Sequence, residues 1–146
     1  MSRRNSKTGG PGRASAGLSE LQLAVMRVLW RDEEATVAEV QAALLPDRTL
    51  APTTVATTLA RLEKRGVVTH RTEGRQFVYR SLLEEGDVRT SMLGELTDRL
   101  FEGDATALVN HLLSARDIDP DDLERIRSLI EARQGRRDEK GGNDER

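Results

Sequence analysis

The chain has 146 residues, no cysteine and a net charge of −2, with 36% hydrophobic and only 3% aromatic residues. That length holds one ordinary domain or two small ones around a modest aliphatic core, and the missing thiols exclude disulfides, thiolate metal sites and thiol catalysis. No apolar run reaches the roughly 18 residues of a membrane span, and the N-terminus lacks the apolar stretch of a signal peptide, so a cytoplasmic protein without membrane insertion is expected.

The opening segment, residues 1–17, is rich in Gly, Ser and Arg and has no apolar periodicity. It cannot bury enough surface to offset its ordering entropy and is expected to be a disordered basic arm, able to touch phosphates or a minor groove. Ser19 and Gln22 then make a capping box, with Leu18 and Leu23 placed for a hydrophobic staple. Leu21, Val25, Val28 and Leu29 mark one helical face up to Trp30, which is expected to plug the core edge. Thr36 and Glu39 form a second capping box and open a short helix that Pro46 and Asp47 end. The short strand that often precedes this helix in winged helices is not obvious, although Ala35 can stand in for it.

Pro52 suits the first turn of a third helix, and Gly66 the left-handed position that closes it. Val55, Leu59 and Leu62 recur on its inner side. Thr53, Thr54, Thr57, Thr58 and Arg61 are predicted to form the outer side, with Lys64 at the C-terminal end. Threonine is a mediocre helix former, so four of them within six positions need a reason beyond helix stability. Such a face meets a polyanion without repulsion, and its hydroxyls and guanidinium can read base edges in a major groove. Beyond Gly66 the period changes to two. Val67, Val68 and Thr69 lead through Glu73, Gly74 and Arg75 into Phe77, Val78 and Tyr79, which reads as a hairpin with Arg71, Arg75 and Arg80 on it and Arg75 at its tip. One pair of Gln76/Val78 and Phe77/Tyr79 is expected to pack inward.

The rest is helical. Val88, Met92, Leu96 and Leu100 recur at fours; Leu108, Val109, Leu112 and Leu113 follow a Gly103-Asp104 restart; Asp119-Pro120 opens a last helix carrying Leu123, Ile126, Leu129 and Ile130. These narrow stripes do not close a core of their own, so Met92, Leu96, Leu100, Leu108, Leu112, Leu123, Ile126 and Ile130 are expected to meet a second copy of the chain. Packing back onto the N-terminal domain is the alternative. Charge divides the same way: residues 1–80 hold 13 Lys/Arg against 8 Asp/Glu, and residues 81–146 hold 10 against 17. A basic front half suits phosphate contact, and an acidic rear half is held away from it.

The expected fold is therefore mainly α with a small β-hairpin: a winged helix-turn-helix at 18–81, a helical dimerisation region at 82–133 and a disordered tail at 134–146. His70 and His111 stand far apart with no metal-binding spacing, and there is no phosphate loop, nucleophile elbow or paired-carboxylate pattern, so neither enzyme nor cofactor is expected. A DNA-binding regulator is the leading reading. The alternatives are a ligand-sensing regulator with a pocket between dimer helices and a winged-helix module that contacts protein.

The segments LSELQLAVMRVLW, TVAEVQAALL and APTTVATTLARLEKRGVVTHRTEGRQFVYR, with LTDRLFEGDATALVNHLLS and DPDDLERIRSLIEAR, resemble the penicillinase-repressor family over about residues 18–133. The resemblance implies a homodimeric transcriptional repressor, its winged helices on inverted-repeat operators of double-stranded DNA and its C-terminal helices intertwined. It maps recognition-helix contacts to Thr53, Thr54, Ala56 and Thr57. Ala56 stands where some members carry a basic residue, so operator preference does not transfer. Members released by a membrane sensor protease are cut at an Asn-Phe bond; the corresponding bond here is His111-Leu112, so that recognition sequence is absent. The cysteine cluster of copper-responsive members is absent.

Overall fold

A computed structural model describes residues 17–144, with side-chain surroundings through Glu139. The basic arm expected at 1–17 thus lies, apart from Gly17, outside the described residues. Contacts divide the chain into two compact units, one ending at Gly103 and the other beginning at Asp104.

In the first unit, α1 (Glu20–Asp32) starts at the Ser19 capping box and α2 (Val37–Leu44) at the Thr36 capping box. Each box satisfies backbone donors that the first helical turn would otherwise leave open. Between them Ala35–Thr36 forms β1, so the strand missing from the hydropathy pattern exists as two residues. Helix α3 (Pro52–Lys64) has Pro52 in its first turn. It closes in a Schellman arrangement: Gly66, at φ +82°, donates to the Glu63 carbonyl at 3.0 Å, and Val67 donates to the Leu62 carbonyl at 3.0 Å.

Strands β2 (Val68–Glu73) and β3 (Gln76–Ser81) follow, and the sheet order is β1-β3-β2, antiparallel throughout. Glu73 pairs with Gln76, leaving Gly74 and Arg75 as a two-residue turn. Positive φ at Gly74 alone, +64°, matches a type II′ hairpin. Because β3 is the central strand, adjacent Val78 and Tyr79 are both buried while Phe77 stays 46% exposed. Neither alternating pair is buried as a set, because strand neighbours on both sides change the rule for a half-exposed ribbon.

The core joins Val25, Met26 and Leu29 of α1, Val40 of α2, Val55, Leu59 and Leu62 of α3, and Val67, Val68 and Tyr79 of the hairpin. Val88 and Met92 of α4 (Glu85–Phe101) pack on it, so α4 belongs with this unit. Trp30 fills the edge as expected and also acts as a latch. Its indole Nε1–H donates to the Leu83 carbonyl at 2.9 Å and the Ser81 hydroxyl at 3.2 Å, tying the end of α1 to the exit of the hairpin.

The second unit holds α5 (Ala105–Ala115), capped by Asp104, and α6 (Pro120–Asp144), whose first turn Asp119 caps. Helix α6 runs past Arg133 into the segment expected as a tail from 134. Gln134, Arg136, Arg137, Glu139 and Lys140 are good helix formers with no proline among them; Gly135 costs about 1 kcal/mol relative to alanine, too little to end a helix already under way, and Gly141 and Gly142 fall only in its last turn.

Candidate nucleic-acid interface

Helix α3 presents one polar face. Thr53, Thr54, Thr57, Arg61 and Lys64 are exposed, Ala56 is half-buried beside them, and Val55, Leu59 and Leu62 point into the core. Thr58 does not belong to this face. It is 8% exposed, and its hydroxyl donates to the Thr54 carbonyl one turn back at 2.8 Å. Thr58 lies about 40° around the helix from both exposed Thr54 and buried Leu62, at the border between the two sides, and packing places it with the core. The face is therefore three threonines and two cations, with no acid on it.

Local structure leaves the N-terminal end of α3 open. Its cap residue, Ala51, has no side-chain acceptor, and the first turn contains no acidic residue. The positive end of the helix dipole is consequently not neutralised from within the helix, and suits an incoming anion. Gln41 of α2 fixes the approach to this end by donating to the Leu50 carbonyl at 2.8 Å. Sequence reasoning did not single out Gln41, since a glutamine within a helical stripe carries no distinguishing spacing.

Of the hairpin cations, Arg75 sits in the exposed turn and Arg80 is exposed near its base; like Arg61 and Lys64, neither has an ion-pair partner among the described residues. Arg71 differs. It is held between Glu34 at 2.5 Å and Glu73 at 2.6 Å, and hydrogen bonds to Glu73 and then Glu34 raise its pKa further. Its charge is spent internally, so only Arg75 and Arg80 of the three remain for a polyanion. Glu63, at the last turn of α3, turns to His70 on β2 at 2.8 Å. Arg65 reaches back to Gln22 of α1 at 3.3 Å.

The apolar residues expected at a partner interface remain largely uncovered. Leu96 and Leu100 of α4 are 42% and 67% exposed, and Leu112, Leu123 and Ile130 are likewise exposed; Met92, Leu108 and Ile126 are half-buried. Within the second unit, Val109, Leu112, Leu113, Ile118, Ile126 and Leu129 line a groove of about 670 Å³ between α5 and α6. The His111-Leu112 bond lies inside α5, and both residues are exposed. Among the described residues no helix is long and apolar enough to cross a membrane, and no cluster of three or more His, Asp or Glu is placed to hold a metal ion.

A sequence description of the penicillinase repressor family matches residues 18–132. The penicillinase repressor of Bacillus licheniformis is 28% identical over 122 residues, covering 84% of this chain and 95% of that protein. The methicillin resistance regulatory protein MecI of Mammaliicoccus sciuri is 24% identical over 113 residues, covering 77% and 92%. Among solved structures, the solution structure of monomeric Bacillus licheniformis BlaI in complex with the blaP half-operator is 39% identical, covers 47% of this chain and 84% of that one, and superposes with a TM-score of 0.41.

Proposed function

The chain belongs to the penicillinase repressor family, a family of transcriptional repressors rather than enzymes, and we propose that it acts in the cytoplasm as a homodimer on inverted-repeat operators in double-stranded DNA. The exposed face of α3 carries this reading: Thr53, Thr54, Thr57 and Arg61 with no acid among them, beside an uncapped helix N-terminus. Laid in a major groove, the hydroxyls and guanidinium meet base edges, the Ala56 methyl suits a thymine methyl, and Lys64 meets phosphate. Arg75 at the wing tip contacts the flanking backbone. Neutralised phosphates supply much of the affinity, so binding falls steeply with salt.

Two-fold pairing through the uncovered leucines of α4 and of the second unit sets the two recognition helices on half-sites about one helical turn, or a multiple, apart. Region 82–133 then serves as the partner-facing part of the molecule, with α4 shared between the DNA-binding core on its inner side and the partner on its outer side. Coupling two half-sites raises affinity well beyond one, so cutting α5 at His111-Leu112, or rearranging the C-terminal helices, releases the operator by uncoupling them. A membrane-bound sensor protease is the partner such cleavage requires, and a β-lactamase-type regulon is the target class that the family suggests.

Selecting duplexes from a random pool tests the reading. The wild-type chain enriches a two-fold symmetric site and binds it with strong salt dependence. Thr54→Ala and Arg61→Ala each alter the enriched sequence; an unchanged sequence in both removes the recognition-helix assignment.

A further inference from the structure

Three side chains connect the recognition helix to the wing, and DNA contact as described above uses none of them. Both carboxylate oxygens of Glu63 receive the Nδ1–H of His70, at 2.8 and 2.9 Å. His70 stacks on Phe77 with ring centroids 4.0 Å apart and planes within 18°. Tyr79 closes the cluster from below, 5.4 Å from His70 and edge-on to Phe77 at 6.2 Å. In the strand register His70 opposes Tyr79 and Thr72 opposes Phe77, so the His70–Phe77 stack is a diagonal contact that climbs toward the hairpin tip.

Two features say that this cluster does more than fill the core. Phe77 is 46% exposed, so its stacking serves a place outside the packed interior, two residues from Arg75 in the turn. Glu63 is also the one acid in α3, and a carboxylate swinging toward a DNA groove would repel phosphate. His70 draws that charge against the hairpin instead. A two-stranded ribbon reaching past its core is marginal by itself and bends easily. A hydrogen-bonded and stacked prop from α3 removes that freedom.

We infer that Glu63, His70 and Phe77 form a strut that positions the wing tip, so that Arg75 and the threonine face of α3 engage one duplex in fixed register. The three are positioning residues and touch no DNA themselves. The inference rests on the DNA-binding reading.

A double-mutant cycle on the duplex that the wild-type chain enriches separates positioning from simple structural support. In the wild-type background Arg75→Ala lowers affinity roughly tenfold, the scale of one charge-assisted hydrogen bond, and reduces the salt slope by about 0.9. In a His70→Ala background, with folding confirmed by circular dichroism, Arg75→Ala changes affinity by less than about twofold, because the tip is already adrift. Glu63→Gln, a near-isosteric change at a half-exposed helix position, weakens the same coupling in part. General destabilisation would lower affinity yet leave the Arg75→Ala effect intact. The inference is overturned if Arg75→Ala has the same effect in all three backgrounds, or none in the wild type. A wild-type chain that enriches no duplex strikes the DNA-binding reading itself.

Discussion

Leu100, in the last turn of α4, keeps 67% of its surface exposed in the single chain. Burying a leucine side chain completely is worth about 1.5–3 kcal/mol, so the two-thirds left over holds about 1–2 kcal/mol for a partner to recover. A two-fold interface uses each residue twice, so Leu100→Ala is expected to weaken the dimer by about 2–4 kcal/mol, a rise in its dissociation constant of roughly 30- to 1000-fold. Sedimentation equilibrium over a concentration series reads this directly. Subunit stability should barely change, since the removed atoms faced solvent. Leu59→Ala provides the contrast: Leu59 is 0% exposed, and its truncation should cost about 2–5 kcal/mol of unfolding free energy in the subunit. If Leu100→Ala sediments with the wild-type dissociation constant, α4 is not the pairing surface and the reasoning fails.

Other outcomes follow from single contacts. Thr57→Val should leave thermal stability unchanged and lower operator selectivity by about 0.5–1.5 kcal/mol, whereas Thr58→Val should cost about 1 kcal/mol of stability and leave selectivity alone; reversed effects in binding and melting assays would reject the assignment of the two threonines. Gly66→Ala forces a side chain onto φ +82° in open space, so the loss is backbone strain of about 1–2 kcal/mol, visible as a lower denaturation midpoint. Burial, with a smaller contribution from the Glu63 charge, raises the Tyr79 pKa above 10.0. A raised acid keeps its proton in the folded state, so stability is complete below pH 10.0 and declines as pH climbs from there through the folded-state value. Tyr79 is the chain's sole tyrosine, so phenolate absorbance follows it directly, and Tyr79→Phe should flatten the alkaline decline in urea melts.

Local chemistry was readable along the chain wherever one segment decides its own fate. The Ser19–Gln22 and Thr36–Glu39 boxes, Pro52 and Gly66 all act within a single turn, and each appears in the structure where the spacing predicts it. The family resemblance was likewise legible, because helix-turn-helix residues and the Glu102-Gly103-Asp104 step are contiguous. Relations between segments were less so. Arg71 looks free until the fold brings Glu34, 37 residues earlier, to its guanidinium. Thr58, at the border of the exposed side, reads as a fourth surface threonine until the packing of α3 covers it. His70 and Glu63 sit either side of the Schellman turn, where the helical period stops and the strand period begins, so neither period links them. Helix α6 outlasts its apolar stripe because propensity sustains a helix that hydropathy no longer marks.

The indole of Trp30 grips the chain at Ser81 and Leu83, immediately before α4 departs from the DNA-binding core. If α4 carries the partner, that grip decides the heading along which the other subunit is held. Tolerance for longer or shorter gaps between half-operators would then be inherited from an aromatic residue that never meets a nucleotide, and relaxing its hold would widen the set of promoters the regulator can straddle.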